Sequence, residues 1–458
     1  MKTKIQIAYI GGGSKLWARK FMQDLALDPD LSGEVRLYDI DLPPAERNQI
    51  IGTRMMEKAG KKNPFLFRVS RTLEEALTGA DFVLMSILPG TFREMRSDVH
   101  EPERYGIYQS VGDTVGPGGV LRAMRTVPIY EGFAAAIRDC CPEAWVINLT
   151  NPMSICVKTL YRVFPKIKAF GCCHEVFHAQ DFLCCALKEC RGITANRREI
   201  YTDASGINHF TWITEARYQD MDLMALLPEF MDRYFESGYY ENGTAEDWKT
   251  NTFAYGNRVK MDLLKRFGAL AAAGDRHLAE FVDHDWYLKD PETVESWHFG
   301  LTTVDYREEK QAKDIHDSIE MAEGRMEVPL EASGEELVRL IRGILGLELV
   351  ISNVNLPNRG QMPGIPEGAI VETNCIFTNG FVDPIVSKPL PEEALKLVRI
   401  NSDAIDLLSE GIASRSMEKI FEAFVRQPLC SRLSFEEARE LFTAMYRNTK
   451  EYLDPWYL

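Results

Sequence analysis

Nowhere does this chain hold the roughly 18 to 20 consecutive apolar residues that a membrane-crossing helix needs. Blocks of clustered Lys and Arg are missing too, and the formal net charge is −15, from 53 basic against 68 acidic side chains. No membrane association is expected from that pattern, and nucleic acid is not expected as a partner. Repeats, low-complexity tracts and flexible linkers are also lacking, so the second half is expected to dock tightly on the first. The N-terminal Met1-Lys2-Thr3-Lys4-Ile5 enters a strand without a small-residue cleavage site, so no signal peptide is expected. The 10 cysteines form no disulfide framework: Cys140-Cys141, Cys172-Cys173 and Cys184-Cys185 are adjacent pairs, poorly placed for local bridges. Reduced thiols, mostly inert and buried, in a cytoplasmic setting are expected instead.

What is present is the composition of a globular enzyme-sized chain: 458 residues, 45% hydrophobic and 26% charged. Lys4 to Ile10 reads as a strand bounded by three glycines, Lys15 to Leu27 as a helix, and Glu34 to Asp39 as a second strand. Further strands are expected at Phe82–Ile87, Ala144–Leu149 and Ile167–Gly171, with a helix starting at Pro152. This alternation predicts an α/β fold that opens with a Rossmann-like doubly wound sheet, residues 1–195. Residues 196–458 change texture and are expected to form a mixed α+β domain: strand character at Ile207–Tyr218 and Ala369–Phe377, an aromatic, helical stretch at Asp220–Ala273, and amphipathic helices at Glu335–Leu349 and Glu392–Leu408. Asn355 to Gly360 reads as a polar turn.

Gly11 and Gly13 supply the first two glycines of G-x-G-x-x-G, with Leu16 in the third position. Backbone N–H groups near Ser14, at the start of the following helix, would meet a pyrophosphate. Asp39 at the end of the second strand can accept from a ribose hydroxyl, which favours NAD over NADP. A plain glycine turn at a strand end is the alternative.

Cys173 and His209 each follow a strand and offer soft and borderline ligands that leave positions open on a divalent ion. A buried cysteine and a core histidine would look the same. Three further segments bear on the choice: the glycine-rich loop around Asp113, Asn148 and Asn151 at a strand's C-terminal end, and Asp275-Arg276-His277, where Asp275 could equally cap a helix.

Taken in order, the glycine turn, Gly112-Asp113-Thr114-Val115-Gly116-Pro117-Gly118-Gly119, Thr150-Asn151-Pro152, Cys173-His174-Glu175-Val176 and Gly206-Ile207-Asn208-His209-Phe210-Thr211-Trp212 resemble the family-4 glycoside hydrolases. The likeness runs through Asn355 to Glu372, and the Cys-His-Glu-Val form is similar to the α-galacturonidase branch. That resemblance implies a lactate/malate dehydrogenase-like architecture, NAD and Mn²⁺ as cofactors, a dimer or tetramer, and hydrolysis by oxidation, elimination, addition and reduction, an NAD-dependent exception among glycosidases. It implies Cys173 and His209 as metal ligands, Asn151 and Asn148 bonding sugar hydroxyls, and Asn208 either orienting the metal ligand or contacting the substrate. Asp275 stands at the position of one branch's base, with Tyr255 in reserve, and His174 replaces an aspartate used elsewhere as acid. Arg93, Arg276 and His277 are candidates for a uronate carboxylate, and Glu175 would pin one of those arginines or a sugar hydroxyl. The rival readings are an α-galactosidase or α-glucuronidase of the same family, a lactate/malate-type dehydrogenase without metal, and a non-catalytic NAD sensor.

Overall fold

The structure, a computed structural model, describes residues 3–241, 245 and 247–453. The first half builds β1 (Lys4–Ile10), β2 (Ser32–Tyr38), β3 (Phe65–Ser70), β4 (Phe82–Met85), β5 (Trp145–Asn148) and β6 (Lys168–Gly171). The second half adds β7 (Ile200–Ile207), β8 (Phe210–Tyr218), β9 (Met221–Asp222), β10 (Leu270–Ala271), β11 (Val350–Pro357), β12 (Ile370–Thr378) and β13 (Phe381–Pro384).

The first six strands pair in parallel in the order β3-β2-β1-β4-β5-β6. A parallel strand is covered by helices on both faces, so it must be apolar on both. β1 obeys this: Ile7, Ala8, Tyr9 and Ile10 are all buried. Ile7 and Tyr9 meet Phe21, Met22 and Leu25 of the helix Trp17–Leu27 on one face. Ala8 and Ile10 meet Tyr130 and Ala134 of the helix Gly116–Cys140 on the other. From β1 the chain moves outward to β2 and β3, then returns to the opposite side of β1 as β4. That reversal leaves a crevice at the carboxyl ends of β1 and β4, where doubly wound sheets bind ligands.

The sheet does not stop at residue 195. β6 joins β11 antiparallel through Gly171 and Asn355, and β11, β12, β7, β8 and β10 continue it. Met321, Val328, Leu337 and Ile341 enter the same core as Ile7 and Phe21. The two halves therefore share a sheet and a core, as the absence of a linker suggested.

Several boundaries move. Pro152 lies just ahead of the helix Met153–Val163 rather than inside it. Asn355, Leu356 and Pro357 belong to β11 instead of a polar turn, because each pairs with β12. The helix Val304–Glu323 and the strand β3, whose Phe65 and Phe67 turn inward while Leu66 and Arg68 stay exposed, are elements beyond those expected from the sequence.

Candidate active site

The glycine turn is shaped by close approach. Gly11 has φ +88°, and a Cβ there would fall 1.9 Å from the Ser86 carbonyl oxygen. Gly13 N–H donates to Asp39 Oδ2 at 2.8 Å, and Asp41 N–H donates to Oδ1 at 3.0 Å. Each oxygen of Asp39 keeps a lone pair at the end of β2, which suits a hydroxyl donor. Ser14 Oγ accepts from Trp17 N–H at 3.1 Å and opens the next helix.

Beyond Ser14 lies a cavity of about 1010 Å³. It runs past Trp17, Leu88, Asn151 and Cys173 to His209, Tyr255, His277 and Arg307. Its size suits a dinucleotide plus a sugar better than either alone.

At its far end His209 sits in the two-residue turn between β7 and β8, with φ +64°. This backbone region is rarely used by residues with a side chain, and such outliers gather at functional sites. Its Nδ1 lies 3.0 Å from Thr114 Oγ1, which donates its one proton to Asp113 Oδ1 at 2.7 Å. The hydroxyl can then only accept from His209, so Nδ1 carries the proton and Nε2 keeps a lone pair. Burial and then the His277 ring beside it bring the His209 pKa down to about 3, so the ring is neutral. A neutral imidazole with its second nitrogen fixed is what a metal requires.

Asp113, His209 and His277 bring ligand atoms within 4.8 Å of one another. Burial would raise the Asp113 carboxyl, but Arg122, His209, His277 and Arg307 outweigh it and hold it well below the usual range. Cys173 lines the same cavity just after β6. Burial, then Glu372 and Glu175, push its thiol well up, so a cation would have to draw out the thiolate. The imidazole–carboxylate cluster, with a thiol on the wall of the same cavity, offers donors of the kinds a divalent ion takes.

Glu175 proves not to hold an arginine. Its Oε1 lies 2.9 Å from His277 Nδ1, and its Oε2 accepts from Gly274 N–H at 2.8 Å. Burial opposes its charge, but His277, His178 and His174 together keep it ionised. Asn151 faces the cavity, and the buried Asn208 donates to its Oδ1 at 3.4 Å from behind. Arg276, His277, Tyr255 and His174 also line the space. His174 stacks on Trp17, ring centroids 5.3 Å apart.

Three candidates lie elsewhere. Asp275 points away from the cavity: its Oδ1 accepts from Lys260 N–H at 3.0 Å, in the first turn of the helix Arg258–Phe267. Burial raises its pKa to about 6, and it is not among the residues that line the cavity. Asn148 is fully buried and spent on Tyr130 Oη, Thr150 N–H and the Thr150 carbonyl. Arg93 lies on the exposed face of its helix, 3.4 Å from Glu451. Conversely, Arg307 and Thr114 were missed. Arg307 opens a run of charges that reads as a solvated helix face, and Thr114 lies within a motif whose carboxylate drew the attention.

Residues 6–189 match the family 4 glycosyl hydrolases and residues 204–430 match that family's C-terminal domain. An alpha-galacturonidase of Thermoanaerobacterium saccharolyticum is 51% identical over 453 residues, covering 99% of this chain and 97% of that protein. The crystal structure of the lplD protein of Bacillus subtilis superposes with a TM-score of 0.91 at 44% identity, covering 96% of this chain and 99% of that one. A 6-phospho-alpha-glucosidase from gut microorganisms, solved with NAD and Mn²⁺, shares the fold at 19% identity and TM-score 0.80, covering 98% and 99% of the two chains. A lactate dehydrogenase from Eimeria maxima keeps the outline at 12% identity and TM-score 0.51, covering 92% and 99%. The doubly wound sheet expected from the alternation of strands and helices, and the dehydrogenase-like architecture implied by the family resemblance, are thus the observed ones. With nearly the whole length matched by the family's two models and by a relative 51% identical, this chain belongs to the family 4 glycosyl hydrolases.

Proposed function

We propose that this protein hydrolyses α-galacturonides with NAD and a divalent metal, Mn²⁺ by its relatives, as cofactors. The observation that carries the proposal is the single cavity that runs from Ser14, at the end of the glycine turn, past Cys173 to the cluster of Asp113, His209 and His277. The likeness to alpha-galacturonidases supports the choice of sugar. Bound NAD would accept and return hydride at the sugar's C3, while the metal would act as a Lewis acid toward the C2 and C3 oxygens.

The chain's own groups divide the remaining work. Gly11, Gly13 and Ser14 shape the pyrophosphate turn, and Asp39 accepts from a ribose hydroxyl. Cys173 and His209 hold the metal, with Asp113 and His277 alongside. Asn151, steadied by Asn208, bonds a sugar hydroxyl. Tyr255 faces the cavity and takes the base's role at C2 in place of Asp275. Burial, then Glu241, Glu175 and Asp275, raise its phenol well above the usual value, and the Arg276 guanidinium opposes them. His174 lines the cavity and serves as the proton donor. Residues 1–195 would carry the dinucleotide and 196–458 most of the sugar contacts. A cytoplasmic setting and a homodimer or homotetramer complete the proposal.

Hydrolysis of p-nitrophenyl α-D-galacturonide with NAD⁺ and Mn²⁺, against the galactoside and glucuronide, tests it. Turnover that needs both cofactors and prefers the galacturonide is the expected result. Preference for the galactoside or glucuronide would move the chain to the family's other activities, and turnover without NAD⁺ would overturn the mechanism.

A further inference from the structure

The far wall of the cavity holds two guanidinium groups latched to one threonine. Arg276 Nη1 donates to Thr302 Oγ1, and Arg307 Nε donates to the Thr302 carbonyl at 3.3 Å. Arg307 Nη2 also donates to the Val111 carbonyl at 2.6 Å, which fixes its plane. Arg276 lies 4.6 Å over the Phe253 ring, which holds its guanidinium flat. Its Nε is buried with no partner among the described residues. Both side chains line the cavity on the side of Asp113.

Charge on this wall is out of balance. Arg122 and Arg307 face Asp113, and Arg276 faces Glu175, Glu280 and Asp113, but Glu175 is already engaged by His277 and Gly274. Glu280 accepts from Val111 and Gly112 N–H at 2.7 and 2.9 Å. Two like charges fixed side by side and partly withdrawn from water are unfavourable unless an anion lies against them. The bonds to Thr302 and Val111 leave Arg307 Nη1 and Arg276 Nη2 on side chains that line the cavity, where a planar, two-oxygen group can accept from each.

We infer that Arg307 and Arg276 together seat the anionic group at C6 of the sugar, a carboxylate in the proposed substrate, and that Arg307 is the specificity-determining member. The inference rests on the proposed α-galacturonidase activity and adds a residue and a geometry to it. The pair sits beside the Asp113, His209 and His277 cluster, so it would place the charged end of the ring while the reacting carbons meet the metal donors. A 6-phosphate is the other anion that two guanidinium groups could accept at this place.

The test uses holoenzyme with NAD⁺ and Mn²⁺, wild type, Arg307→Met and Arg307→Lys. Binding of D-galacturonate and D-galactose is titrated calorimetrically, and kcat/KM is measured on the p-nitrophenyl α-galacturonide, α-galactoside and 6-phospho-α-galactoside. In Arg307→Met the galacturonide-to-galactoside ratio should fall about 100-fold, mainly through KM, with a matching loss of galacturonate affinity. Arg307→Lys should fall between, because it keeps the charge and loses the fork. Equal losses on the charged and neutral sugars, or an unchanged ratio, would overturn the role of Arg307 alone. A wild-type enzyme that prefers the neutral sugar would remove the proposed activity and this seat with it, whereas preference for the 6-phosphate would keep the anion seat and reassign its ligand. NAD⁺ titration checks the fold, and if Arg307→Met fails to bind NAD⁺, Arg307→Lys carries the comparison.

Discussion

Thr114 Oγ1 stands between His209 Nδ1 at 3.0 Å and Asp113 Oδ1 at 2.7 Å, so a single hydroxyl proton decides which imidazole nitrogen is open. Thr114→Val keeps the shape and removes the relay. Mn²⁺ affinity should fall about 10- to 100-fold, the usual loss for a group that orients a metal-binding histidine. Calorimetric titration of Mn²⁺ into the NAD⁺-loaded protein reads this directly, and unchanged affinity would show that the relay does not matter.

Cys173→Ser and His209→Ala should abolish turnover while leaving the dinucleotide end intact. The glycine turn is built from Gly11, Gly13, Asp39 and Tyr38, none of which touches either residue. Fluorescence titration of NAD⁺ should give a Kd close to wild type in both variants.

Tyr255 and Asp275 make opposite predictions. Tyr255 lines the cavity, so Tyr255→Phe should lower kcat by about 10²- to 10⁴-fold and slow deuterium exchange at the sugar's C2. Asp275→Asn keeps the oxygen that accepts from Lys260 N–H, so kcat should stay within the wild-type order of magnitude. Loss of activity in Asp275→Asn with Tyr255→Phe unaffected would exchange the two roles.

Glu280 ties the Val111–Gly112 turn to the rest of the site, and burial raises its pKa from 4.5 to about 7. A carboxyl raised on folding contributes stability that is complete below about pH 4.5 and is lost as pH rises through about 7. Glu280→Gln keeps an oxygen acceptor and removes that dependence. Its Tm relative to wild type should therefore rise between about pH 5 and about pH 8, by scanning fluorimetry of metal-free protein. A gap that is constant with pH would mean the carboxyl is not titrating there.

Much of the site could be read before the coordinates because its members are short-range motifs. Gly11 and Gly13 follow an apolar strand, and only glycine tolerates the contact with Ser86. Cys173 and His209 each stand two residues past the end of a strand and line the cavity. Residue type said nothing about direction, however. Asp275 and His277 are two positions apart, yet one caps a helix from within and the other meets His209 at a ring distance of 4.0 Å. Asn148 and Asn151 likewise share a strand end, but Tyr130 and Thr150 consume the first.

The order of apolar runs and glycines determined the doubly wound sheet, since strands covered on both faces and a turn without Cβ atoms leave little other choice. The family's donor residues were equally plain in the chain. Only the tertiary structure could bring Arg307 to Arg276 across Thr302, or exclude Arg93 from the cavity. Long-range packing sets which side of a charged helix is withdrawn from water, and periodicity along a polar segment carries no record of it.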